Sequence, residues 1–348
     1  MPRLSNNPMK GSSDFRQPEK ITVTSVVYIP YLEGYWEQAL PVLKVCFNSL
    51  RRSTSIPFDL MVFDNGSAPE VRDYLTEANE SGLIQYLILS EHNIGKVGAW
   101  NVMFGAAQGE YVAFMDSDVL FLPGWLEESL RLLEAFPKAG TVTAQPVREI
   151  PEYFPAMNAA ALRDAPAEQD IHVEQGAFVP AHYHTALRLG LGDTVEKYQT
   201  IRRQEDVRLS RGDTSAYIAG SHFQFLTRKA LLREIFPLPV TTPVGSVDEP
   251  KFDRGVNERG GWRLSTLDYY VHHMGNRLPT AETDFDGLSW FDTAALLAAA
   301  GDETDVSAPA AAQTVENPLV RAMLRWSLVR RVLRYLHRTT HRLLLEQR

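Results

Sequence analysis

Four apolar runs in the first half of the chain each stop at a cluster of polar or small residues, with helical spacing in the gaps between them. Ile21–Ile29 (ITVTSVVYI), Phe58–Phe63 (FDLMVF), Leu83–Leu89 and Tyr111–Met115 (YVAFM) are nearly continuous and rich in β-branched or aromatic residues. Such runs form strands that are buried on both faces. A helix is expected from Trp36 to Leu50, with Cys46 on its buried side, and another after Ser67, where Ser67 and Glu70 have capping-box spacing. A third enters through the small-residue turn Asn93–Asn101 and ends near Gly109. Strand and helix in alternation imply βαβ units, hence an α/β domain with a mainly parallel, Rossmann-like sheet flanked by helices. Ligands in such sheets sit beyond the carboxyl ends of the strands. Pro30–Glu33, Asp64–Ser67, Asn93–Asn101 and Asp116–Asp118 all fall there. No Gly-x-Gly-x-x-Gly turn follows the first strand, which argues against dinucleotide binding.

The fourth run ends in Asp116-Ser117-Asp118, and apolar residues resume at once. An unpaired carboxylate taken out of water costs several kcal/mol, so two acids at a buried strand end call for a partner. A divalent cation fits: Mg²⁺ or Mn²⁺ is commonly held by one or two carboxylates, with phosphate oxygens of a substrate completing the shell. The plainer alternative is that one of the two acids caps the helix near Pro123.

With 348 residues, 44% hydrophobic and 22% charged, the chain has the composition of a globular protein with a sizeable core. Cys46 is the single cysteine, so no internal disulfide forms and a reducing, cytoplasmic setting is expected. The first twenty residues read as a disordered lead-in, and no run has the ~18 apolar residues of a membrane span. The net charge of −8 conceals an asymmetry, because residues 318–348 carry eight arginines against one acid, Glu346. An acidic body argues against broad nucleic-acid binding.

The four clusters together resemble the donor half of a family 2 glycosyltransferase of the GT-A fold, over residues 21–145. The family shows an apolar strand ending in Pro, then Val-Asp-x-Gly-Ser, then Asn-x-Gly with a later Asn, then Asp-x-Asp. This chain has Pro30, Phe63-Asp64-Asn65-Gly66-Ser67, Asn93-x-Gly95 with Asn101, and Asp116-x-Asp118, in that order. The resemblance implies that Asp64 and the turn Pro30, Tyr31, Glu33 contact the base and ribose of a nucleotide-sugar. It also implies that Asn93 helps bind the donor, that Lys96 reaches its sugar or diphosphate, and that Asp116 and Asp118 hold ribose and metal. Leu32-Glu33 departs from the pattern, since the family often carries Asn there.

Residues 146–300 read as an acceptor-binding, catalytic half. Ala219–Leu226 is similar to the family's small-residue strand, followed by Asp248-Glu249, a helix from Phe252, Gly261-Trp262-Arg263 and a strand. The acidic pair is where the family places its catalytic base, but a one-residue difference in register leaves Asp248 and Glu249 both eligible. Val271-His272-His273-Met274-Gly275 matches Val-x-His-x-Gly, which implies His273 as a metal ligand. Nitrogen in the ligand set favours Mn²⁺ over Mg²⁺. His182 and His184, two apart as on one face of a strand, read as an acceptor-side loop feature, with metal binding as the alternative.

Residues 301–317 form an Ala/Pro/acid-rich linker, and 318–348 a basic amphipathic helix with Ala322, Trp326, Val329, Leu333 and Leu336 on one stripe. That helix suits peripheral docking on an anionic membrane surface or self-association. The expected activity is metal-dependent, inverting transfer of a sugar from a nucleotide-diphosphate donor, UDP-type favoured, to an acceptor hydroxyl. The acceptor class is a carbohydrate or lipid-linked molecule, as in polysaccharide, glycolipid or other glycoconjugate synthesis. The alternatives are a sugar-phosphate nucleotidyltransferase and a non-catalytic nucleotide-sugar-binding scaffold.

Overall fold

Strand β1 (Ile21–Val27) lies inside a ten-stranded sheet, between β2 (Asp59–Asp64) and β4 (Tyr111–Asp116), both parallel to it. In this computed structural model the described residues are 16–148, 150, 170–190, 192–202, 205–241 and 248–278. All of them belong to one compact unit, residues 1–304. The linker, the 318–348 helix, the stretch 151–169 with its prolines and the lead-in to residue 15 lie outside the described residues.

Burial on both faces follows from the alternation of side chains along each strand. In β2, Leu60 and Val62 join one hydrophobic cluster and Met61 and Phe63 the other; in β4, Ala113 and Met115 join the first and Val112 and Phe114 the second. The first cluster takes in α1 (Ala39–Arg52), α2 (Pro69–Glu80) and α4 (Trp125–Ala135). On the other face lies α3 (Lys96–Ala106), whose Trp100 packs edge-on to Phe114 at 5.0 Å. The expected helix from Trp36 is a 3₁₀ turn (Gly34–Trp36) followed by α1, with Cys46 fully buried as foreseen. The third strand is shorter than its apolar run: β3 (Tyr86–Leu89), at the sheet edge and only partly covered.

Beyond β4 the sheet becomes mixed. Short β5 (Val119–Phe121) leaves it, and β6 (Ala139–Thr143) rejoins. After β7 (His172–Gly176), α5 (Ala181–Gly190) and α6 (Val195–Ile201) come β8 (Asp206–Arg211), β9 (Thr214–Ile218) and β10 (Gln224–Arg228). Helices α7 (Lys229–Ile235) and α8 (Pro250–Glu258) precede β11 (Trp262–Ser265), and β12 (Val271–His273) closes the described chain. The order is β3-β2-β1-β4-β10-β6-β11-β9-β8-β7; β10, β9 and β7 run against the other seven, so most strands share one direction. Strands from both expected halves share this one sheet. Helices α3, α7 and α8 cover its second face around Trp100, Phe104, Phe236 and Phe252.

Two local expectations are corrected. Ser67 does not cap α2: the helix begins at Pro69, and Ser67 Oγ accepts instead from the Ile29 amide at 3.0 Å, tying β1's end to the β2 turn. His182 and His184 lie on helix α5, not a strand, so two residues of separation puts them on different sides. His184 Nδ1 meets the Tyr198 hydroxyl at 3.1 Å, and burial lowers the imidazole to about 4, keeping the ring neutral.

Candidate active site

The carboxyl ends of β1, β2 and β4 border a cavity of about 300 Å³. Its walls include Tyr28 and Ile29 after β1, Asn65 after β2, Asn93 and Lys96 before and in α3, and Asp116, Ser117 and Asp118 after β4. Glu249, Gly275 and Asn276 complete it from the second half of the chain. The strand-edge expectation holds because each run stops where its backbone leaves the sheet and polar side chains turn outward.

Asp116 is the last residue of β4, and Asp118 follows in the turn to β5. Neither caps a helix, since α4 begins after Gly124 without a side-chain cap. The two-stranded sheet of β5 and β12 pairs His273 with Val119, and the Met274 amide donates to the Asp118 carbonyl at 2.8 Å. Through this pairing His273 Nε2 comes 3.5 Å from Asp118 Oδ2, and one ligand atom each of Asp116, Asp118 and His273 lie within 4.8 Å of one another. His273 Nδ1 is 2.9 Å from the Gly190 carbonyl, which can only accept, so Nδ1 carries the proton. In the neutral ring Nε2 then keeps its lone pair toward the acids, the tautomer a metal ligand needs. Asp118 Oδ1 is buried with no hydrogen-bond partner among the described residues. Burial raises the Asp118 carboxyl, with His273 opposing and Asp116 reinforcing the rise. An orphaned carboxylate oxygen, a second acid and an imidazole lone pair fit a divalent cation.

Lys96 Nζ lies 2.7 Å from Asp116 Oδ1 and 3.2 Å from Glu249 Oε2, over the rings of Trp100 and Phe114. Burial works against its charge, but Asp116 and Glu249 outweigh that and raise the ammonium above its ordinary value. The acidic pair divides sharply. Glu249 faces the cavity, whereas Asp248 is 2% exposed and turns away, accepting from the Thr241 amide at 2.8 Å and pairing with Lys251. Burial would raise Glu249, yet hydrogen bonding from His222 and the Lys96 charge overcome it and hold the carboxyl at about 2.

Other expected residues are placed differently. Asp64 is fully buried behind the cavity, 3.2 Å from Arg72 Nε and accepting from the Ser67 amide; its neighbour Asn65 lines the cavity instead. Pro30, Tyr31 and Glu33 are not among the lining residues, and Tyr31 is 55% exposed. Asn101 bonds the backbone of Leu238. The sequence reading passed over Tyr35, Trp36 and Asn276, which form a rim where Asn276 Nδ2 donates to the Tyr35 carbonyl at 2.7 Å. It also passed over His222. The available signal was Asp253, one helical turn beyond Glu249 and hence on its face of α8.

A parallel-edge cavity with two aspartates and a histidine at ligand distance, facing a separate ionised carboxylate, defines an α/β protein with a candidate metal-assisted active site. The glycosyl transferase family 2 model matches residues 26–190, a little under half of the chain. An uncharacterized glycosyltransferase of Nostoc sp. is 32% identical over 100 residues, 29% of this chain and 30% of that protein. A further uncharacterized glycosyltransferase, from Haemophilus influenzae, is 25% identical over 117 residues, 33% of this chain and 34% of that one. The chain spans about a third of the length of these curated relatives. Among solved structures, S. aureus TarS 1–349 in complex with UDP-GlcNAc superposes with a TM-score of 0.43 at 14% identity, covering 77% of this chain and 64% of that one.

Proposed function

We propose that the chain is a metal-dependent, inverting glycosyltransferase that moves a sugar from a nucleotide-diphosphate donor, UDP-type favoured, to an acceptor hydroxyl. The observation that carries this reading is the convergence of Asp116, Asp118 and Glu249 on one cavity, with His273 at ligand distance from the two aspartates, in a chain whose residues 26–190 match the family 2 model. Inversion at the anomeric carbon in one displacement requires charge compensation at the leaving diphosphate and a base at the acceptor. Asp116, Asp118 and His273 are the proposed ligands of Mn²⁺ or Mg²⁺, which when bound would offset the diphosphate charge. His273 favours Mn²⁺. Lys96 adds a fixed cation beside the same acids. Glu249 is the proposed base: its Oε2 meets Lys96 and His222, and among the described residues Oε1 takes no hydrogen bond. Asp248, already engaged by Thr241 and Lys251, is assigned to holding the start of α8. The UDP preference, the roles of Pro30, Tyr31, Glu33 and Asp64 toward the nucleoside and that of Asn93 in binding the donor rest on the family resemblance.

The test is a hydrolysis screen of purified UDP-, GDP- and dTDP-sugars with Mn²⁺, Mg²⁺ or EDTA, alongside thermal shift with each nucleotide. We expect slow hydrolysis of a UDP-sugar that Mn²⁺ stimulates and EDTA abolishes. No hydrolysis and no nucleotide-dependent shift in any condition overturns the reading.

No helix among the described residues is long and apolar enough to cross a membrane. From its sequence, the 318–348 stripe is proposed to dock the enzyme on an anionic surface, as a lipid-linked acceptor would require, each basic residue near the leaflet contributing ~1 kcal/mol. Sedimentation with anionic vesicles should pellet the full chain and not one stopped at Asn317. Equal pelleting refutes membrane docking and leaves self-association.

A further inference from the structure

Behind Glu249, charged groups of alternating sign run from the cavity into the core. Glu249 Oε2 is 3.2 Å from His222 Nε2, and His222 Nδ1 is 2.9 Å from Asp253 Oδ2. Asp253 Oδ1 is in turn 2.7 Å from Arg263 Nη2, which donates to the Gly220 carbonyl at 2.6 Å. Asp253 and Arg263 are 0% and 1% exposed. Three elements build the chain: α8 and the residue preceding it supply the carboxylates Asp253 and Glu249, the segment entering β10 supplies the imidazole, and β11 supplies the guanidinium.

An ionised carboxylate only accepts hydrogen bonds, so a ring lying between two of them satisfies both only with both nitrogens protonated. His222 is therefore an imidazolium. Burial opposes that charge, but Asp253 first and then Glu249 outweigh it, lifting the ring to about 9, with Lys96 acting the other way. The charged groups facing His222 are Glu249 just before α8, Asp253 on α8, Lys96 on α3 and Arg263 on β11.

We propose that His222 is the positioning residue for Glu249. Anchored by Asp253 and Arg263, it fixes Oε2 so that Oε1 meets an incoming acceptor hydroxyl in one orientation. The inference rests on Glu249 being the base, as argued above. A purely structural ion-pair chain would affect stability without selectively affecting turnover. A positioning residue affects kcat, because misplacing a reacting group by ~1 Å costs about a hundredfold in rate.

The experiment uses the full chain with Mn²⁺ and the donor found by the hydrolysis screen, comparing wild type with His222→Ala and His222→Gln. In parallel, ¹⁵N-histidine NMR follows the ring in wild type and in Glu249→Gln. For His222→Ala we expect kcat to fall about a hundredfold with donor KM within about twofold, and His222→Gln, which keeps one donor, to recover part of it. Loss of the cation beside Glu249 raises its pKa, so the acid limb of the kcat profile moves to higher pH in His222→Ala. The wild-type ring should be doubly protonated at pH 7.5 and should titrate at lower pH in Glu249→Gln. Wild-type kcat in His222→Ala, an equal loss in donor affinity, or a ring indifferent to Glu249→Gln overturns the proposal. If wild type turns over no nucleotide-sugar, the transferase reading fails by itself, and the NMR comparison still decides whether His222 holds Glu249.

Discussion

Asp253→Asn is nearly isosteric and removes one charge from the most buried ion pair in the site. Asp253 and Arg263 are almost wholly inaccessible, 2.7 Å apart, and Asp253 also holds His222 at 2.9 Å. At that separation, with an effective dielectric of about 20, the Coulomb attraction is ~6 kcal/mol, a ceiling before desolvation is counted. Removing one member of a buried pair typically costs ~3–5 kcal/mol, because the other charge is left in the interior. Arg263 keeps its bond to the Gly220 carbonyl, so the lower end, ~3 kcal/mol, is expected. Urea denaturation followed by tryptophan fluorescence measures it. With a slope of ~3 kcal/mol per molar, the midpoint should fall by about 1 M at unchanged slope. Arg263→Met in the same chain removes the stranded charge, and the double variant should regain at least ~1 kcal/mol over the additive sum. A midpoint within about 0.2 M of wild type, or strict additivity, refutes the reasoning.

Three further outcomes are expected. Asp118→Asn should abolish Mn²⁺ binding, measured by calorimetry or electron paramagnetic resonance, and turnover with it while the circular dichroism spectrum is kept; wild-type turnover would dismiss the metal assignment. Glu249→Gln should lower kcat by ~10²–10⁴ and spare nucleotide affinity, whereas Asp248→Asn should mainly lower the melting temperature; the reverse pattern would exchange their roles. Stability should also fall on the alkaline side. His222 is raised to about 9 in the folded chain, so its contribution is complete below ~6.5, the unfolded value, and is lost as pH rises through about 9. The depressed Glu249 reports the same contact from its other side and is counted once. Denaturation midpoints between pH 6 and 10 should show this loss in wild type and not in His222→Gln.

The strands between residues 21 and 116, their shared direction and the polar clusters at their ends were legible because they depend on local rules. A β-branched run that stops at Asp64 or Asp116 declares both a buried strand and the place where its polar end emerges, and βα alternation makes that place a shared edge. The family resemblance pointed to Glu249 and His273 from far along the chain. What the sequence could not decide was which way neighbouring side chains turn. Asp64 and Asn65 are adjacent, as are Asp248 and Glu249, yet in each pair one is buried against a basic partner and the other faces the cavity. That choice depends on where Arg72, Lys251 and His222 arrive, which only packing sets. The Ser67–Glu70 spacing likewise lost to a tertiary bond with Ile29. Most of all, the pairing of β5 with β12 carries His273 to Asp118, and the packing of α8 against β10 and β11 assembles Glu249, His222, Asp253 and Arg263. Periodicity describes a residue's own element. Contacts between residues distant in the chain exist only once loop entropy has been overcome and the two cores have closed around the sheet.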